Sequence, residues 1–86
     1  MTTFEQTLAD TVRARRVTER LTQADLADLS GVSERFVRSV ERGKPTIQLE
    51  SLLAVLRTLG LDLAVTNRRR ESGAQEAPGV SGRKNS

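Results

Sequence analysis

The chain has 86 residues, 36 % of them hydrophobic, 29 % charged and 2 % aromatic, which makes it one small domain at most. It has no cysteine, histidine, tryptophan or tyrosine, so disulfides, Cys/His zinc sites, a His base and a Cys nucleophile are all excluded. The formal charge of +3 lies wholly in the tail: residues 1–66 hold nine basic and nine acidic side chains, and residues 67–86 carry the excess.

The elements follow in chain order. Phe4, Leu8 and Val12 recur at helical spacing and predict a first helix over residues 4–18. Its Arg13 and Arg15 are expected to be solvated. Thr22-Gln-Ala-Asp25 fits a helix start signal with Leu26 and Leu29 behind it, and Gly31 stops that second helix, because a positive φ is cheap there. Ser33 caps a third helix carrying Val37 and Val40, which ends at Gly43. Lys44-Pro45-Thr46 reads as a loop. Leu49, Leu52, Leu53, Leu56 and Leu59 form the apolar stripe of a fourth helix over residues 48–59, ended by Gly60.

Leu61, Leu63 and Val65 then alternate with Asp62, Ala64 and Thr66, the period of a strand over residues 61–66. A lone strand leaves its backbone groups unpaired. A chain this short also buries only roughly 60 to 65 % of its unfolded surface. Both considerations point to a homodimer in which Leu61, Leu63 and Val65 form an antiparallel seam across a two-fold axis. The alternative is a loop whose leucines cover the bundle. Residues 67–86, with three glycines, a proline and a single valine, have too little to bury and are expected to be disordered. The Arg68-Arg69-Arg70 run is either a solvated terminus or a contact for phosphate or an acidic partner.

Two short helices meeting at Gly31 have the helix-turn-helix arrangement. The expected fold is all-α: a four-helix bundle, residues 1–66, with the short C-terminal strand paired across the dimer. The second helix of such a unit presents polar side chains to a major groove. Here these are Ser33, Glu34, Arg35, Arg38 and Ser39. An arginine can give two hydrogen bonds to a guanine edge, and a glutamate can accept from cytosine N4. Ser33 and Gln23 sit at helix N-termini, which favour phosphate, and Thr22 and Gln23 either contact DNA or only cap.

The segment TQADLADLSGVSERFVRSVERGK resembles the helix-turn-helix of the Cro/lambda-repressor family, a likeness covering residues 8–60. The resemblance implies a structural ion pair between Arg16 and Glu41, a phosphate contact at Gln23, base reading by Glu34, Arg35 and Ser39, and backbone contacts at Arg42 and Lys44. The chain departs from the family pattern at Arg20, where glycine is usual, and at Phe36. Arg20 is therefore either strained in a left-handed conformation or an added phosphate contact. Phe36 meets either a thymine methyl or a protein neighbour. Glu34 discriminates for cytosine or orients Arg38 across one turn.

The ending LLAVLRTLGLDLAV is similar to that of HipB-type antitoxins. That likeness implies a strand paired between subunits, binding to a palindromic operator of the protein's own operon, and restraint of a HipA-like serine/threonine kinase toxin. The reading is therefore a dimeric, sequence-specific DNA-binding repressor of a toxin–antitoxin pair. The alternatives are a free-standing phage-type or restriction–modification controller repressor and, from another class, a protein-interaction module. No enzyme activity, metal or cofactor is expected. No apolar run approaches the ~18 residues of a membrane span and no signal-peptide core is seen, so the expected setting is cytoplasmic.

Overall fold

A computed structural model describes residues 2–67. The tail beyond residue 67, including Arg68–Arg70 and its expected disorder, lies outside the described residues. Four helices follow one another: α1 (Phe4–Thr18), α2 (Gln23–Ser30), α3 (Glu34–Glu41) and α4 (Leu49–Thr58).

Local chemistry sets the ends of these helices. The Thr3 hydroxyl accepts from the Gln6 amide at 3.1 Å and opens α1. Thr22 opens α2 with a full capping box: its hydroxyl accepts from Asp25 N at 3.0 Å, and the Asp25 carboxylate accepts from Thr22 N at 2.9 Å. Those bonds to the charged carboxylate, the backbone one first, hold Asp25 below its ordinary pKa. Ser33 opens α3 by accepting from Phe36 N at 3.0 Å. Gly31 closes α2 at φ 73°, and Val32 N donates to Ala27 O at 3.0 Å. That left-handed glycine reverses the chain between the two short helices.

The core comprises Val12 of α1, Leu26 and Ala27 of α2, Val37 and Val40 of α3, and Leu52, Val55, Leu56 and Leu59 of the fourth helix and its end. Helix α3 packs on α1 and α2, and α2 also packs on α4. The Ser30 hydroxyl donates to Thr58 Oγ1 at 3.0 Å and joins the ends of α2 and α4.

The strand expected at residues 61–66 is not formed: no strand occurs among the described residues, and residues 61–67 carry no regular structure. The reason is physical, since a single chain offers this segment no edge to pair with. Leu61 is half-buried against the core of its own chain, while Leu63 is 37 % and Val65 97 % exposed.

Candidate nucleic-acid interface

Helix α3 divides into two arcs. At 100° per residue, Phe36, Val37, Val40 and Glu41 share one side, and Glu34, Arg35, Arg38, Ser39 and the capping Arg42 share the other. Val37, Val40 and Glu41 are buried and Phe36 packs half-buried against the core. Glu34, Arg35 and Arg42 are exposed, and Arg38 and Ser39 are half-exposed. The structure thus brings the four base-reading candidates onto one outward face. Phe36 is turned away from it and packs on protein, which decides its two readings.

Arg38 Nη2 donates to Glu34 Oε2 at 3.1 Å across one turn. Both side chains remain about half solvated, so the pair orients Arg38 more than it stabilises the helix. Arg35 makes no ion pair among the described residues and extends from the same face. Ser33 is exposed at the start of α3 with its hydroxyl engaged in the cap. Thr22 is likewise exposed and engaged in its cap. Arg42 and Lys44 follow α3, both exposed. Gly43 between them has φ 77°.

The other face of α3 is fixed by a carboxylate. Glu41 is only 6 % exposed. It accepts from Arg16 Nε at 2.6 Å, from Arg16 Nη2 at 3.0 Å and from Gln23 Nε2 at 3.1 Å. This bidentate bond to Glu41 raises the Arg16 pKa above its ordinary value, against the lowering effect of burial. Arg16 Nη1 also donates to Leu21 O at 2.9 Å. The network therefore joins α1, the loop before α2, the first residue of α2 and the last residue of α3. Gln23, expected to face phosphate, is half-buried and donates its amide inward to Glu41.

Two further residues bear on the sequence reading. Arg15 is exposed, as expected, and also donates Nε to Leu59 O at 3.0 Å and lies 3.8 Å from Glu19 Oε2. It caps the end of α4 across 44 positions of sequence, and no local signal announces such a bond. Arg20 is the one non-glycine residue with a positive φ among the described residues, at 61°. This is the strained branch of its two sequence readings, and its side chain is exposed. No group of His, Cys, Asp and Glu suited to a metal occurs among the described residues. No described helix is long and apolar enough to cross a membrane.

Two eight-residue helices, joined through a left-handed glycine, with a buried carboxylate behind the second and a polar face ahead of it, define a helix-turn-helix domain. Residues 12–65 match the model of the helix-turn-helix family HTH_3, and the chain belongs to that family. It is an HTH-type transcriptional regulator, of the Cro/lambda-repressor type. Over 62 residues it is 42 % identical to y4mF of Sinorhizobium fredii (strain NBRC 101917 / NGR234), an uncharacterized HTH-type transcriptional regulator. That match spans 70 % of this chain and 82 % of the relative.

Among solved structures, a chain of the HipA-HipB-O2-O3 complex superposes with a TM-score of 0.69 at 19 % identity, covering 80 % of this chain and 97 % of that one. The clp gene regulator ClgR from C. glutamicum superposes with a TM-score of 0.63 at 27 % identity, covering 72 % and 80 %. A point mutant of the restriction–modification controller protein C.Esp1396I gives 0.61 at 24 % identity, again covering 72 % and 80 %.

Proposed function

We propose that the protein is a dimeric, sequence-specific repressor that inserts α3 into the major groove, and that it is the HipB-like antitoxin of a HipA-like serine/threonine kinase toxin. The observation that carries the DNA reading is the division of α3. Its inward arc is closed by core and by the Arg16–Glu41 network, while Glu34, Arg35, Arg38 and Ser39 stand together on the outward arc. In this reading Arg35 and Arg38 give paired hydrogen bonds to guanine edges. Glu34 and Ser39 discriminate among neighbouring bases. Thr22 and Ser33 flank the phosphates from two helix N-termini, Gln23 gives one amide hydrogen to Glu41 and keeps the second for a phosphate, and Arg42 and Lys44 hold the backbone beyond α3.

Residues 1–66 act as one DNA-binding and dimerising unit, with residues 67–86 as a basic appendage. Exposed Leu63 and Val65, together with Leu61, supply the seam when two copies pair across the two-fold axis. The two reading helices then lie about 34 Å apart on one face of a palindromic operator. What supports the antitoxin role is the alternating segment after α4 and the shared fold with a chain of the HipA-HipB-O2-O3 complex across nearly its whole length.

Fluorescence anisotropy on DNA from upstream of the protein's own gene, against scrambled DNA, tests the DNA reading. Arg35→Ala lowers the preference for the operator. Lys44→Ala weakens binding to both duplexes and flattens the salt slope by about 0.9, the share of one phosphate. Equal loss on both duplexes for both variants refutes these assignments, and absence of DNA binding at low salt favours a protein-interaction module. Affinity capture from the native source tests the antitoxin role: a kinase-like protein retained without DNA supports it. Return of the dimer alone leaves a stand-alone repressor.

A further inference from the structure

We infer that the adjacent residues Arg15 and Arg16 form the mechanical link that fixes the dimerising segment relative to the reading helix, and so set which half-site spacing the dimer accepts. The inference rests on the dimeric reading above. Arg15 and Arg16 are consecutive on α1 and diverge by about 100° around its axis. Arg16 grips the last residue of α3 through the two bonds to Glu41. Arg15 grips a different element, donating to the carbonyl of Leu59 where α4 ends.

The chain leaves α4 through a tightly specified turn. Gly60 has φ 71°, and Leu61 N donates to Leu56 O at 2.8 Å. A Cβ at residue 60 would lie 3.4 Å from Arg15 Nη2, so the guanidinium sits directly against this turn. The exit direction of residues 61–67 is thereby tied to α1 by one arginine, and the attitude of α3 is tied to α1 by the next. A rigid connection between seam and reading helix is what a spacing-selective dimer needs. One extra base pair displaces a half-site by about 3.4 Å and rotates it by about 35°.

The test uses duplexes carrying both half-sites at the native separation and with one base pair added or removed. Their affinities are measured for the wild type, Arg15→Gln and Arg15→Lys. Circular dichroism and melting report the fold, and sedimentation reports the dimer. The wild type loses about tenfold or more for each altered spacing, the scale of one lost base contact. Arg15→Gln removes the guanidinium fork and Arg15→Lys keeps the charge without it. Both remain folded dimers, melt about 5 °C lower, and bind the altered duplexes within threefold of the native one. If both variants keep the wild-type spacing penalty and only melt earlier, Arg15 is merely a helix cap and the inference is overturned. If the wild type sediments as a dimer yet shows no spacing dependence, the inference is overturned, and if it sediments as a monomer, the dimeric reading itself fails and the link falls with it.

Discussion

Replacing Glu41 with alanine probes the one buried charged residue among the described residues. Three donors converge on its carboxylate, two from Arg16 and one from Gln23, and the Arg16 side chain keeps only 15 % of its exposure. Truncation leaves a guanidinium and an amide unpaired in a poorly solvated site, a loss of about 3 to 5 kcal/mol. A domain of this size holds roughly 4 to 10 kcal/mol in total. With a urea m-value near 1 kcal/mol/M, the midpoint falls by about 3 M or more, which leaves the variant marginal or unfolded in buffer. Urea titration followed by circular dichroism at 222 nm measures it. Arg16→Ala completes a double-substitution cycle. Because the two residues act as a unit, the double variant loses at least about 2 kcal/mol less than the sum of the single ones. A loss below about 1 kcal/mol for Glu41→Ala, or additivity within about 0.5 kcal/mol, would refute the account of this network.

Arg20→Gly relieves the left-handed strain at φ 61° and raises stability by about 0.5 to 1 kcal/mol net of the entropy of glycine; a lower melting temperature refutes it. Asp25 has a folded pKa depressed by its capping bonds to Thr22. Its contribution is therefore present above about pH 4 and is lost as pH falls through the lowered folded value. Asp25→Asn flattens that part of the acid titration, and an unchanged acid limb refutes the assignment. Val65→Glu alters a side chain that is 97 % exposed in the single chain. It preserves the helical spectrum and dissociates the proposed dimer on sedimentation, and an unchanged dimer constant removes residue 65 from the proposed seam.

The helices are legible because their ends are written in single residues. Thr22 with Asp25, Ser33, Gly31 and Gly60 each announce a boundary through a local bond or a dihedral, and the structure has them there. The α3 face is legible from the helix-turn-helix arrangement, whose second helix presents its polar side chains outward. The Arg16–Glu41 pair comes from resemblance, since residues 25 positions apart carry no local signal. Arg15 on Leu59 O and Gln23 on Glu41 are not legible for the same reason: a polar residue on a helix reads alike whether it meets water or a distant partner. The alternation of residues 61–66 reads as a strand, yet period two specifies only which side chains share a face. A strand also needs an edge, and the single chain has none to offer it.

Helices α2 and α3 have eight residues each. Segments of that length are almost entirely coil in water, because nucleating the first turn costs more than so few bonds return. The outward face of α3 is therefore borrowed from the bundle: Val37, Val40 and Glu41 hold the helix together from behind. A peptide spanning residues 33–44 would carry every side chain of the face and present none of them in order. Recognition and global folding are thus one equilibrium in this protein, and each 1.4 kcal/mol lost from a folded state that has become marginal thins the population able to bind by up to about tenfold.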